Sequence, residues 1–492
     1  HYSVTLWRIL MNVEQTHDLN QLFYPKTVAF VGASPNVAGP MWGANGFIDG
    51  YVKLNFQGKI FPVHPRAESI MGFQAYKSVR DIPDELDLVI FAVPYKSVLP
   101  VMRDCAEKGV KFAHIFTAGF SETGREENAA LEKELLDMAR KGRVRIIGPN
   151  CMGLYCPEGG ITWSNDFPTT PGQVGFVSQS GQLAGHFVGA GQSMGIRFSK
   201  VISFGNASDL KAHEFFNYLA EDEKTTIIGS YLEGLKDGRE FFEFARNITR
   251  KKPVVVWKGG QTEGGGRAAM SHTGSIAGSP KIWKALCKQA GVISVNSMEE
   301  LVGTIAALQR VPLPAGTRVA VLGGAGGGSV TMTDAAEQAG LQVPHLAEKT
   351  INILEESIPI SGSSVKNPLD IMGALFRMDD SMNMIKLFEL LQDDPNIDAL
   401  IYSQMMEMFS RRGGRMLLDI SVNITVKGLE KLEKPMFLVL GRGMSLEGES
   451  FRQEAQQKYN NAGVATFESF DIAARVVANL SKYQKYLSDS NR

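Results

Sequence analysis

The sequence predicts an α/β fold in which parallel sheets carry helices on both faces and the arrangement repeats along the chain. Three observations lead there. Short β-branched runs alternate with longer helical patterns through almost the whole chain, which is the pattern of successive βα units. Many of the 51 glycines fall just after those apolar runs, where a tight strand-to-helix turn needs positive φ or lets a ligand approach the backbone. Two distant segments also open alike: GQVGFVSQSGQLAG from Gly172 and TRVAVLGGAGGGSV from Thr317 each run from a strand through a small-residue turn into a helix.

At 492 residues the chain has room for about three domains of roughly 150 residues each. The first, residues 20–156, takes strands at Thr27–Gly32, Lys59–Val63, Leu86–Val93, Phe112–Ala118 and Val144–Ile147. Its helices are expected at Val98–Lys108 and Arg125–Lys141. Pro157–Pro171 is rich in Gly, Pro and Thr and reads as a connector. The second domain, residues 170–310, takes strands at Val174–Val177, Lys200–Phe204, Thr226–Leu232 and Pro253–Lys258, with helices starting near Ser180, Asp209 and Asp237. After the Pro-rich stretch Val311–Gly316, the third domain, residues 316–487, has strands at Val319–Leu322, Ala399–Ser403 and Met436–Leu440. The second and third domains read as two copies of a similar doubly wound fold.

Composition narrows the function classes. Hydrophobic residues make up 44% and charged residues 21%, enough for an ordinary core in each domain. The net charge of −1 gives no bulk attraction to nucleic acid or an anionic membrane, and neither is expected as a partner. Cys105, Cys151, Cys156 and Cys287 are too few for a disulfide framework and lack paired zinc spacing, so a reducing cytoplasm and no metal site are expected. No apolar run reaches membrane-spanning length. Val4–Leu10 is too short for a signal peptide, and Met11 is a candidate native start.

Several turns carry possible chemistry. VAFVGASPNVAG (Val28–Gly39) places Gly32, Ala33 and Ser34 after a strand, where free amides and a helix dipole suit a phosphate. It is neither GxGxxG nor a P-loop, and it reads equally as an ordinary tight turn. IFPVHPRAESIMG (Ile60–Gly72) brings the cation Arg66, which would suit a phosphate or simply be solvated. TAGFSETG (Thr117–Gly124) and IIGPNCMG (Ile146–Gly153) also end apolar strands, so the four segments should converge at one carboxyl edge, where open parallel sheets bind ligands. SQSGQ (Ser178–Gln182) and GGAGGGS (Gly323–Ser329) are helix starts that could face one anion, with Ser180 a good N-cap. MSHTGSIAGS sets His272 in a small-residue loop behind the flexible GGQTEGGG (Gly259–Gly266), where an imidazole can serve as a phosphoryl nucleophile. YLEG puts Glu233 at a strand end, able to accept the second imidazole N–H or to stand exposed.

Together these motifs resemble the ADP-forming (NDP-forming) acetyl-CoA synthetases and the succinyl-CoA ligase superfamily. The ordered set is VGAS, PVHPRAE, AVP, TAGFSETG, GPNCMG, FVSQSG, SFGNASDL, YLEG, SHTGSIAG, GGAGGG and KNPLD, and SHTGSIAG after YLEG is its most specific part. The resemblance implies a Rossmann-like CoA-binding domain followed by two flavodoxin-like domains. It implies coenzyme A near Gly32, Ala33, Ser34 and Arg66, with Asn150 and Cys151 close to its thiol and acyl group. It makes His272 the phosphorylated histidine supported by Glu233, with Ser178, Gln179, Ser180 and Gly181 and Gly324, Ala325, Gly326 and Gly327 as paired phosphate-holding helix starts. The implied chemistry passes from acyl-CoA through acyl phosphate and phosphohistidine to ADP.

An ATP-grasp nucleotide module is not evident in the chain, so a separate β subunit binding ATP or ADP with Mg2+ is expected, in an α/β heteromer acting on a small carboxylic acid. VGASPNVAGPMWG also lacks the Lys or Arg of many relatives. The competing readings are a Rossmann oxidoreductase, which lacks its GxGxxG, and a non-catalytic CoA-binding or regulatory protein of the same fold.

Overall fold

The computed structural model describes residues 19–36, 43–235, 238–273, 279–324, 326–358, 364–370, 383–412 and 414–489. The chain forms two compact units. One holds the residues up to Gly189 together with Arg197–Ser294, and the other holds Ala190–Ile196 with the residues from Val295 onward.

The first unit contains two sheets. In one, strands β1 (Thr27–Val31), β2 (Lys59–Val63), β5 (Leu88–Phe91), β6 (Phe112–Ile115) and β7 (Arg145–Ile147) lie in the order β2-β1-β5-β6-β7, all parallel. A two-residue hairpin, β3 (Ser69–Ile70) with β4 (Phe73–Gln74), follows β2. Helices α1 (Ala44–Lys53), α2 (Val98–Lys108) and α3 (Glu126–Lys141) complete it. Every residue of β5 and β6 is buried, as expected of parallel strands covered on both faces. Helix α2 ends at Gly109 in the left-handed region, which closes its last carbonyls.

The second sheet has β8 (Gly153–Tyr155), β9 (Val174–Ser178), β10 (Phe198–Ser203), β11 (Ile227–Leu232), β12 (Val254–Lys258) and β13 (Ile293–Val295), in the order β13-β12-β11-β9-β10-β8. From β9 onward this is the flavodoxin-like order 2-1-3-4-5, and the crevice opens where that order reverses, between β9 and β11. Its helices are α4 (Gly181–Ser193), α5 (Ala212–Glu221), α6 (Gly238–Ile248), α7 (Glu263–Thr273) and α8 (Pro280–Ala290). Strand β8 runs antiparallel to β10 at the sheet edge. The residues Gly153–Tyr155, assigned to the first domain by the sequence division, therefore belong to the second sheet. Three residues are too short to show a strand pattern, and only pairing with β10 defines them.

The second unit carries α9 (Met298–Arg310) and a four-stranded parallel sheet of β14 (Val319–Leu322), β15 (Ala399–Met405), β16 (Met436–Gly441) and β17 (Thr466–Phe467), in that order. Between and after the strands come α10 (Gly327–Gln338), α11 (Glu348–Ser357), α12 (Met384–Asp393), α13 (Met406–Arg412), α14 (Gly414–Leu429), α15 (Leu446–Asn461) and α16 (Phe470–Asp489). Helix α9, which closes the second domain in the sequence division, packs on α16 and is grouped with this unit by its contacts. Its face from Leu301 to Ala307 is buried, and a helix settles where such a face finds a partner.

The open edge of β14 is finished without a full strand. Val319 N–H donates to Gln342 O at 2.8 Å, and Leu369 N–H donates to Val321 O at 2.8 Å. The buried Asn367 side chain fills the gap: its oxygen accepts from Val321 N–H at 2.9 Å, and its amide donates to Val319 O and Pro344 O at 2.9 and 2.8 Å. This gives the KNPLD motif a structural task at the strand that leads into Gly323. Asn367→Gly keeps the left-handed backbone (φ 75°) but leaves these groups unpaired. It should destabilise the second unit by about 3 kcal/mol, read as a lower urea midpoint at unchanged slope.

Candidate active site

The carboxyl edge of the first sheet is shaped by turns that only small residues fit. Gly32 has φ +99°, and a Cβ there would stand 2.2 Å from Ala92 O. The turn continues through Ala33 to Ser34, whose N–H donates to Asn45 Oδ1 at 2.8 Å while Asn45 Nδ2 donates back to Ser34 O. Gly32, Ala33 and Ser34 line a cavity of about 340 Å³ with His64, Pro65, Lys77 and Asp104. Arg66 is exposed and is not among the lining residues. Its N–H and that of Ala67 donate to His64 Nδ1 at 3.2 and 3.0 Å. Two donors at Nδ1 place the ring proton on Nε2. The Arg66 side chain thus stands at the surface, off the lining of this cavity. Lys77 and His64 stand there instead, because the β3–β4 hairpin folds the chain back so that Tyr76 bonds to β2, leaving Lys77 beside the pocket.

Further along the same edge, a larger cavity of about 670 Å³ brings the turns of both sheets together. Its walls include Pro94, Thr117, Asn150, Cys151, Ser180 and Gly181. Asn150 takes φ 57°, and its N–H donates to Thr117 O at 3.0 Å. The Cys151 thiol donates to Ile115 O at 3.7 Å, and burial pushes its pKa up, which favours the neutral thiol. Beneath Cys151 lies His114, buried in β6, with Nε2 3.4 Å from Cys151 O and its ring edge-on to Phe47. Burial lowers the His114 pKa to about 4.

Ser180 caps α4 as expected, its hydroxyl accepting from Leu183 N–H at 3.3 Å. Gly181 presses against Met152, which a Cβ would meet at 2.5 Å. Ser178 lies outside this cavity's lining, whereas Gln179 is part of it. The buried Ser178 hydroxyl donates to Ser180 O at 2.7 Å, shaping the turn from within. The Gln179 side chain accepts from Glu233 N–H and Gly234 N–H at 2.8 and 3.2 Å, bridging the ends of β9 and β11. Glu233 is 8% exposed and buried rather than solvated. Its carboxylate bonds the Tyr231 hydroxyl, which burial, followed by Glu233, pushes up to about 12.

The segment from Gly259 to Gly266 is not the long flexible approach that its composition suggests. Helix α7 begins at Glu263 and already includes Gly264, Gly265 and Gly266. Thr262 caps it, its hydroxyl accepting from Gly265 N–H at 3.1 Å, and Arg267 pairs with Glu263 at 2.9 Å one turn on. His272 lies in the last turn of α7, so its backbone is helical and not in a loop; its side chain and residues 274–278 lie outside the described residues. Helix α7 packs against the turn Ser121–Thr123 of the first sheet. In the second unit, Gly324 and Gly326 take φ +91° and +53°, α10 starts at Gly327, and Gly326 N–H donates to Asp370 Oδ2 at 2.9 Å. Ala325 lies outside the described residues.

A polar cluster ties the two sheets together, and single motifs did not show it. Asn206 Nδ2 donates to Glu122 and Glu132 at 2.6 and 3.0 Å, and Asn206 Oδ1 accepts from Asn150 Nδ2 at 3.4 Å. Burial works to raise the Glu122 pKa, but Asn206 and the Gly119 and Phe120 N–H groups outweigh it and hold the carboxyl below its ordinary value. Asn206 sits inside SFGNASDL, so a signal was present, but its carboxylate partners are more than seventy residues away.

Comparison with known proteins identifies the family. The CoA binding domain matches residues 26–157, and the succinyl-CoA ligase like flavodoxin domain matches 171–308. The α subunit of acetate–CoA ligase [ADP-forming] II of Pyrococcus furiosus is 43% identical over 78% of this chain and 81% of its own length. The α subunit of enzyme I from the same organism is 38% identical over 95% and 98%. The dinucleotide forming acetyl-coenzyme A synthetase 1 of Ca. Korarchaeum cryptofilum, solved with phosphate and ADP, has a TM-score of 0.78 at 30% identity, covering 96% of this chain and 99% of that one. The chain belongs to the ADP-forming acyl-CoA synthetases, a family of acid–thiol ligases, as an α-type member. Some relatives are longer: the chain spans 67% and 54% of acetate–CoA ligases II and I of Archaeoglobus fulgidus.

Two measurements test this geometry. Gly32→Ala should lower CoA affinity by about 10-fold or more in calorimetry and cost about 2 kcal/mol of stability, because the strained turn must open. His114 is depressed in the folded state, so the unfolded chain takes up its proton first as pH falls from 6.5 towards 4. Stability should fall by about 3 kcal/mol across that window, and His114→Gln should remove this component of the urea midpoint's pH dependence.

Proposed function

We propose that this chain is the CoA-binding, phosphohistidine-carrying α subunit of an NDP-forming acyl-CoA synthetase, with His272 as the phosphoryl carrier. One observation carries the reading: the Asn150–Cys151 turn and the Ser180–Gly181 helix start share the walls of one cavity. A thioester bound at the first turn would lie within reach of an anion held at the second.

The residues present suit coenzyme A. The Gly32 turn leaves no room for a side chain, so a ligand's phosphates can approach the backbone there, with Lys77 and His64 beside them. In the ATP-forming direction, a phosphate oxygen attacks the thioester carbonyl, the C–S bond breaks, and CoA leaves as its thiol after taking a proton. The N-terminal amides of α4 stabilise the negative charge that develops. A His272 ring nitrogen then attacks phosphorus and the P–O bond to the acyl oxygen breaks, releasing the carboxylate. Glu233 holds the other ring nitrogen's proton and steadies the charged ring. Finally a β-phosphate oxygen of ADP attacks the same phosphorus and the P–N bond breaks.

The nucleotide and its Mg2+ belong, on this reading, to an ATP-grasp β subunit in an α/β heteromer; the longer relatives support this, since this chain spans only 67% and 54% of their length. The turn at Gly324, Gly326 and Gly327, with Ala325, is a second phosphate-holding helix start. All four cysteines are buried free thiols, which supports a reducing cytoplasm, and no described helix is long and apolar enough to cross a membrane.

The test is phosphorylation by acyl-CoA and labelled phosphate. Acid-labile, base-stable label should appear on the wild-type chain and be lost in His272→Ala, while CoA binding stays within about 2-fold. The chain alone should not turn over ATP, and adding the β subunit should restore turnover. Absence of label with every acyl-CoA tried would favour the non-catalytic CoA-binding alternative.

A further inference from the structure

The carboxyl end of β12 holds a buried ammonium that the proposed chemistry does not use. Lys258 is 6% exposed. Its Nζ donates to Glu233 O at 2.6 Å and to Gly259 O at 2.6 Å. The parallel register that pairs Leu232 with Lys258 brings the two strand ends side by side. Taking an ammonium out of water costs several kcal/mol, and burial pushes this one below the ordinary lysine range, with Glu233 pulling the other way. A strut that only needed to join two carbonyls would be built more cheaply from an uncharged donor.

The ammonium is one link in a continuous tie. Lys258 holds the Glu233 carbonyl, and the Glu233 N–H donates to Gln179, which leads into the Ser180–Gly181 helix start. On the other side, Gly260 takes φ +70°. A Cβ on it would stand 3.3 Å from Ala269 Cβ and 3.6 Å from Glu233 O. Ala269 is buried on α7, three residues before His272. The main chain of Glu233 is thus bonded to Gln179 on one side and Lys258 on the other, and Gly260 lies between it and the helix that bears the histidine.

We infer that Lys258 is a positioning residue for phosphoryl transfer to His272: it fixes Glu233 against α7 and places a compensating positive charge beside that carboxylate. The inference rests on the reading of His272 and Glu233 given above. It assigns Lys258 to the second chemical step, since the residues it bonds directly, Glu233 and Gly259, do not line the cavity at Asn150 and Cys151.

The two steps can be measured separately. With arsenate in place of phosphate, attack on the thioester releases CoA thiol, and the acyl arsenate is hydrolysed by water, so the first step turns over without the histidine. Labelled phosphate arriving on His272 reports the second. Acetyl-CoA and 4-hydroxybutyryl-CoA serve as probes, the acids being those named in relatives.

Lys258→Met, which keeps the length but loses the charge, should leave arsenate-dependent CoA release and CoA affinity within about 2-fold while slowing histidine labelling about 100-fold. Lys258→Gln, which keeps a donor without the charge, should label at an intermediate rate; it also stands in if the methionine variant melts early. Equal loss of both steps, or full labelling in either folded variant, overturns the inference. Absence of label and of CoA release in the wild-type chain would instead defeat the reading of the site itself.

Discussion

The rest of the structure depends on how parallel strands are covered. Helices on both faces leave the middles of β5, β6, β9, β10 and β11 wholly buried, with no place for chemistry. Polar function is confined to strand ends, and right-handed βα connections put all carboxyl ends of a sheet on one edge. Gly32, Thr117, Asn150, Ser180, Glu233 and Lys258 all occupy that position in one or the other sheet of the first unit.

Strand ends must still satisfy their own backbone groups, and here side chains do so. Gln179 takes the N–H groups of Glu233 and Gly234, Lys258 takes the carbonyls of Glu233 and Gly259, and Asn206 donates to two carboxylates at once. Each bond contributes only about 1 kcal/mol net, but leaving a buried partner unpaired costs about 1–3 kcal/mol, so these turns have few alternative conformations. The second unit uses the same device at β14, where Asn367 stands in for strand pairing just ahead of the Gly323–Gly327 turn.

That rigidity bears on how a histidine is presented. The Gly-rich stretch before His272 suggests a hinge, yet α7 starts at Glu263 and is capped by Thr262. Glycine weakens a helix by roughly 1 kcal/mol each relative to alanine, so three in the first turns leave it marginal without its cap and tertiary contacts. The composition therefore describes the helix's low stability, and the contacts of Ala269 and of the turn Ser121–Thr123 decide its conformation.

The sequence by itself determined the fold class, the places of the sheets' main strands along the chain and the family. Alternating apolar runs and helical patterns depend on neighbours a few residues apart, and the motifs VGAS, GPNCMG, YLEG and SHTGSIAG are contiguous. Helix α2 falls at the residues its pattern predicts, and α3 one residue inside them. What local pattern could not carry was decided by tertiary structure. Gly153–Tyr155 becomes a strand only by pairing with β10, and α9 joins the second unit only because α16 covers its apolar face. Arg66 looked like the phosphate cation because it stands in the motif, while Lys77 reaches the pocket by the fold of a hairpin. Gln179, expected at an anion-holding turn, also bridges two strand ends with its side chain, and Lys258 had no motif of its own beyond a strand's last residue. Such roles depend on which groups the fold brings within about 3 Å across tens of residues, a distance that local periodicity does not encode.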